Sequence, residues 1–195
     1  MTSIAVVRKG RTAAVAIDTL TKQGSCLVPP RHKAYPSKLV EVGGAFIASS
    51  GSIALLRTLE SLAQHHADEF QFGSIAEIYE TFRRLHQILV DDYHLLTSED
   101  DSEQPFESSH FNVLIAAPSG IYEVQSYREV QQYNHFWATG SGYRYVLGSL
   151  ESIYDEDDDR TAAEIARRAV EAACVFDDAS EGPVLTAEVQ LADGC

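Results

Sequence analysis

The chain has 195 residues, 45% of them apolar, with nine Tyr, eight Phe and one Trp. That is enough to bury a full core without staples, which excludes a disordered chain. A formal charge of −14 excludes nucleic acid and anionic membrane surfaces as the main partners. Three cysteines without paired spacing point to a reduced, cytoplasmic compartment. No apolar run approaches the ~18 residues of a membrane span, and Arg8, Lys9 and Arg11 interrupt the first apolar stretch, so no signal peptide is expected. One domain over 1–195 is the expected organisation. The acidic runs Glu99–Asp101 and Asp155–Asp159 read as solvated loops.

In chain order, Ile4–Val7 and Thr12–Ile17 are β-branched, apolar runs joined by Arg8-Lys9-Gly10-Arg11, a predicted hairpin. From Asp18 to about Pro36 the chain is polar and rich in Gly and Pro, which predicts an extended loop. Lys38–Val42 and Ala45–Ala48, separated by Gly43-Gly44, predict a second hairpin. Helical spacing follows. Ile53, Leu55, Leu56, Leu59 and Leu62 form one stripe, and Ile75, Ile78, Tyr79, Phe82, Leu85, Ile88 and Leu89 form another within a helix over 74–93. The acidic stretch 98–109 leads to strands at 112–116 and 121–124.

Gly140-Ser141-Gly142 opens a third predicted helix through Leu150. Thr161 with Glu164 three residues on is a capping signature for a fourth. Val184–Leu191 is the last predicted strand. Strands and helices come in groups, not in strict alternation, which favours an α+β fold of two sheets between two helical layers, a four-layer αββα sandwich.

The candidate chemistry begins at Thr2. Removal of Met1 would leave a hydroxyl nucleophile and a free α-amine on one residue, an arrangement used in acyl transfer. Asp18 ends an apolar strand and Lys38 begins another. Buried together beside the amine, the Lys would keep it basic and the Asp would orient the Lys. Taken singly, Asp18 reads as a turn cap and Lys38 as a surface charge. Ser141 offers a hydroxyl to the amine or a helix N-cap. Asp177 and Ser180 offer a carboxylate and a hydroxyl three residues apart, or an ordinary helix C-terminal turn.

Together these residues resemble the proteasome β-subunit family of N-terminal-nucleophile hydrolases, especially its compact bacterial homologues and the bacterial two-component heat-shock protease. The similar segments are Thr2-Ser3-Ile4, Val15-Ala16-Ile17-Asp18, Ser37-Lys38-Leu39-Val40, Ile47-Ala48-Ser49-Ser50-Gly51 and, most family-like, 138–143 followed by 166–170. The resemblance implies a threonine-type endopeptidase with Thr2 as nucleophile, Lys38 and Asp18 tuning its amine, and Ser141, Asp177 and Ser180 anchoring it. It implies the backbone N–H of Gly51 as oxyanion donor. The interval from Asp18 to Lys38 is longer than in typical relatives, which leaves Lys33 as an alternative lysine. The implied side-chain pocket lies near Leu20, Lys33, Ala48 and Gly51.

The resemblance further implies a homo-oligomer of stacked hexameric or heptameric rings with contacts on apolar helical faces. Its expected substrates are unfolded polypeptides or peptides, with a separate ATP-dependent unfoldase as a possible partner. No cofactor or metal is expected, because HExxH, P-loop, GxSxG and GxGxxG patterns are all missing. A non-catalytic ring scaffold and an amidohydrolase of small amides stay open as alternatives.

Overall fold

Alternation in the first two strands decides the architecture. The computed structural model describes residues 2–35, 37–97, 104–155 and 157–193; Met1, Pro36, the run Glu99–Asp101, Glu156 and Cys195 lie outside them. Strands β1 (Ser3–Lys9) and β2 (Thr12–Ile17) pair antiparallel with Ile4 opposite Ile17. Successive side chains on a strand point to opposite faces. Ile4, Val6, Ala13, Val15 and Ile17 therefore share one face, and Ala5, Val7, Ala14 and Ala16 the other.

The stretch between Asp18 and Pro36 departs from the predicted open loop. It folds as a small hairpin, β3 (Thr21–Gln23) with β4 (Cys26–Val28), followed by one 3₁₀ turn at Pro30–His32. Next come β5 (Leu39–Val42) and β6 (Ala45–Ser50), helices α1 (Ile53–His65) and α2 (Ile75–Asp91), then β7 (Asn112–Ala117), β8 (Gly120–Val124) and β9 (Val130–Tyr133). β10 (Phe136–Gly140), α3 (Tyr143–Ile153), α4 (Ala162–Phe176) and β11 (Leu185–Gln190) complete the order. The sequence reading missed β9 and β10. Val130-Gln131-Gln132-Tyr133 is half polar because it is the outer strand of its sheet, and the Gly140-Ser141-Gly142 turn signal obscured the strand before it.

One sheet runs β10-β1-β2-β11 and the other β5-β6-β7-β8-β9. Their facing sides share a core in which Ile4, Val6, Val15 and Ile17 meet Ala48, Leu114, Ala116 and Ile121. On the far side of the first sheet, α3 through Val146 and Leu150 and α4 through Ala162, Ala166, Ala169 and Ala173 pack onto Ala5, Ala14 and Ala16. Small side chains on both partners let the α4 backbone lie close to the strands. On the far side of the second sheet, Leu56, Leu59 and Leu62 of α1 and Ile78, Phe82 and Leu85 of α2 cover Ile47, Val113 and Ile115. Each such buried aliphatic side chain contributes about 1.5–3 kcal/mol. The fold is the αββα sandwich. α4 starts as its sequence predicts: Glu164 N donates to Thr161 Oγ1 (3.2 Å) and Thr161 N to Glu164 Oε2 (2.8 Å). Among the described residues, no helix is long and apolar enough to cross a membrane.

Candidate active site

The register of β1 with its neighbours delivers three chain segments to one end of the first sheet. Asp18 follows β2 directly, so the ladder continues with Asp18 N donating to Ser3 O at 3.2 Å. Ser3 N donates in return to Asp18 Oδ1 at 3.0 Å, and Leu20 N to Oδ2 at 2.9 Å. Asp18 is fully buried, and by taking these two backbone N–H groups it caps the turn that ends β2.

Lys38, directly before β5, reaches across from the second sheet. Its Nζ donates to both Asp18 oxygens at 3.2 Å and to Thr2 Oγ1 at 2.9 Å. Thr2 and Lys38 are 2% and 4% exposed, so the trio sits where Coulomb and hydrogen-bond energies are little screened. Burial pushes the Asp18 carboxyl up and the Lys38 ammonium down, each opposed by the attraction of the other. Of the two candidate lysines, Lys33 is turned elsewhere: its Nζ donates to Thr19 O (2.5 Å) and Thr21 Oγ1 (2.9 Å).

A second set of hydroxyls lies on the helical side of β1. Ser180 Oγ donates to Asp177 Oδ2 at 2.6 Å, and Ser141 Oγ donates to the same oxygen at 2.8 Å. Ser3 Oγ lies 2.7 Å from Ser180 Oγ. A hydroxyl has one proton, and that of Ser180 is used on Asp177, so Ser3 is the donor in this pair. Asp177 is the C-cap of α4 and collects both chains of hydroxyls. Ser141 is not a helix N-cap: Gly142 holds that position, without a side-chain cap. Besides Asp177, the Ser141 hydroxyl faces the Thr2 carbonyl at 3.5 Å, while Ser141 N donates to that carbonyl at 2.8 Å.

Gly140 makes this crossing possible. Its φ is +96°, and a Cβ there would fall 1.9 Å from Thr2 O. Only glycine permits both the conformation and the approach. Gly51 shares with Thr2 a cavity of about 180 Å³, lined also by Leu20, Thr21, Ser49 and Leu56. It adopts φ +119°, again a conformation L side chains avoid. Ala48, expected at the pocket, is instead buried in the core between the sheets; alternation along β6 puts Ser49 at the cavity.

The structure thus gathers Thr2, Asp18 and Lys38 into one cluster, Ser141, Asp177 and Ser180 into a second, and sets Gly51 in the wall beside Thr2. Sequence reasoning missed Ser3, which links the two clusters through its N–H to Asp18 and its hydroxyl to Ser180. The signal was a polar residue at the start of an apolar strand, but its partner is 177 positions away. Among the described residues, no group of three or more His, Cys, Asp or Glu side chains is placed to hold a metal ion.

The chain belongs to the proteasome-like family of N-terminal-nucleophile hydrolases. It is 34% identical to Thiobacillus denitrificans BPH, with a TM-score of 0.89 over 98% of this chain and 99% of that one. The same Thiobacillus protein in complex with epoxomicin superposes with a TM-score of 0.86 at 33% identity, over 97% of this chain and 99% of that one. Eukaryotic HslV from Trypanosoma brucei shares the fold, with a TM-score of 0.71, 20% identity and coverage of 96% of this chain and 99% of that one. No protein-family model matches the chain, and neither does any curated protein.

Proposed function

We propose that the chain is a threonine-type endopeptidase subunit in which Thr2, exposed by removal of Met1, is the nucleophile. The observation that carries this reading is Lys38 Nζ at 2.9 Å from Thr2 Oγ1 and 3.2 Å from both oxygens of buried Asp18. A threonine hydroxyl in an ordinary strand terminus has no need of a buried ion pair behind it.

In the proposed reaction, Thr2 Oγ1 attacks the scissile carbonyl carbon and its proton passes to the α-amine of Thr2. Lys38 stabilises the developing charge on Oγ1 and disfavours protonation of that amine, while Asp18 holds Lys38 in place. The backbone N–H of Gly51 takes the oxyanion, a contact whose loss typically costs ~10²–10³ in rate. The tetrahedral adduct collapses to an ester on Oγ1 as the leaving amine takes the proton from the α-amine. Water then cleaves the ester and restores the hydroxyl. Ser141, Asp177 and Ser180 fix the segment that bears the amine. Nothing in this sequence of steps calls for a cofactor.

The same reading includes a cytoplasmic homo-oligomer of stacked rings, hexameric or heptameric, acting on unfolded chains or peptides, with an ATP-dependent unfoldase as a separate partner. Support for self-association comes from the end of α4, where Val175 and Phe176 are 73% and 69% exposed and Phe176 packs on Tyr145. Exposed apolar side chains clustered in this way mark contact surfaces. The test is peptide hydrolysis by the wild type and by Thr2→Ala. Loss of all turnover in the variant, with the assembly intact, supports the reading; full activity in the variant ends it.

A further inference from the structure

The cavity beside Thr2 has an unusual charge for this chain. Acidic residues outnumber basic ones 29 to 15, yet its wall contains Lys22 and Lys38 and no carboxylate. Lys38 is neutralised by Asp18, and Lys22 pairs with Asp178 at 2.7 Å. Lys33 differs from both. It stands one hydrogen bond behind the wall, its Nζ donating to Thr21 Oγ1 at 2.9 Å and to Thr19 O at 2.5 Å, and Thr21 lines the cavity. Both acceptors are neutral. Among the described residues, no carboxylate lies within ion-pair distance of Lys33. Burial lowers the pKa of its ammonium; the Asp18 carboxylate, already paired with Lys38, opposes this through space, and Arg57 nearby adds repulsion.

A partly desolvated cation with only neutral acceptors is costly unless an anion meets it. The hairpin β3–β4 and the 3₁₀ turn after it, absent from the sequence expectation, are what hold Lys33 against Thr21. With about 180 Å³, the cavity is smaller than sites that enclose a whole ligand and is suited to one side chain. Hydroxyls of Thr21 and Ser52 in its wall, which accept from Lys33 and from Leu55 N and keep their own protons, can donate to a carboxylate.

We propose that this cavity receives an acidic side chain of the substrate, on the acyl side of the scissile bond, and that Lys33 is the residue that sets this preference. The inference rests on the peptidase reading above. Leu20, Ile53 and Leu56 also line the cavity; they would contact the methylenes of such a side chain, which favours Glu over Asp.

The experiment uses the assembled wild-type protein and blocked fluorogenic peptides that differ only in the residue before the cleaved amide: Glu, Leu or Lys. The expected order of kcat/KM is Glu first and Lys last, with Glu over Leu by about tenfold, the ratio that 1.4 kcal/mol provides. Lys33→Met should collapse the Glu/Leu ratio by about tenfold, Lys33→Arg should retain it, and Lys33→Glu should raise the Lys peptide above the Glu peptide. A wild type that prefers Leu or Lys overturns the inference, as does a Glu/Leu ratio unchanged in Lys33→Met, and either result leaves the peptidase reading standing. If no peptide is cleaved and Thr2 takes up no epoxomicin, both fall together.

Discussion

Gly140 and Thr2 cross so closely that a single methyl group on the former would overlap the carbonyl oxygen of the latter, at 1.9 Å. The crossing is the last rung of the β1–β10 ladder, where Ser3 opposes Gly140 and Ser141 N takes the Thr2 carbonyl. Gly140→Ala must therefore displace the N-terminal segment. We expect it to fold, since the sheet cores lie elsewhere, and to lose at least ~10²-fold in kcat/KM, in line with the cost of misplacing a reacting group by about 1 Å. Circular dichroism and peptide turnover check this; a fully active Gly140→Ala would mean that the Thr2 backbone need not sit where it does.

The Asp18–Lys38 pair is buried on both sides, at 0% and 5% side-chain exposure. Removing one partner from such a pair costs about 3–5 kcal/mol, whereas removing both costs much less. Asp18→Asn should accordingly lower Tm by on the order of 10 °C, and Asp18→Asn/Lys38→Met by clearly less, although both variants are inactive. Thermal melts of the two singles and the double provide the coupling directly, and strict additivity would contradict a buried pair.

The Asp18→Asn variant also has a signed pH dependence. Burial already holds Lys38 below its ordinary 10.5, and Asp18 is the main opposing influence. Without that carboxylate the folded-state value drops further while the unfolded value stays at 10.5. Between the two, the unfolded chain binds more protons, so stability rises with pH. The Tm deficit of Asp18→Asn, measured against Asp18→Asn/Lys38→Met to cancel other titrations, should be largest at low pH and shrink as pH rises toward 10.5.

Ser180 is the junction of the hydroxyl chain, taking a proton from Ser3 and donating one to Asp177. Ser180→Ala leaves the Ser3 hydroxyl, 0% exposed, without its acceptor. A stranded buried polar group costs about 1–3 kcal/mol. Ser3→Ala/Ser180→Ala removes both partners and should recover part of that loss, which a denaturant titration resolves. A larger loss in the double variant would show that the two hydroxyls do not act as a pair.

If Val175 and Phe176 are contact residues, Val175→Glu/Phe176→Glu should shift the particle to smaller species in light scattering, with helical content retained. An unchanged mass would move the subunit contact to another face.

The sequence made Asp18 and Lys38 visible because each interrupts an apolar run at a strand boundary, where a charge needs an explanation. Helices α1 and α2 were visible from their stripes, α3 from the Gly140-Ser141-Gly142 turn before it, and the α4 start from Thr161 and Glu164. What stayed hidden depends on distant pairing. Ser3 acquires its partner from the other end of the chain, and β10 is defined by its register on β1 more than by its own composition. The β3–β4 hairpin was concealed by the loop-like residues around it, and with it the place of Lys33 behind Thr21.

The central claim is that Thr2 reacts. Intact and peptide mass spectrometry of the assembled wild-type protein after exposure to epoxomicin tests it most directly. The account predicts a chain that begins at Thr2 and carries one adduct on that residue, absent in Thr2→Ala. A chain that retains Met1 throughout an active preparation, or an adduct on any other residue, would contradict it.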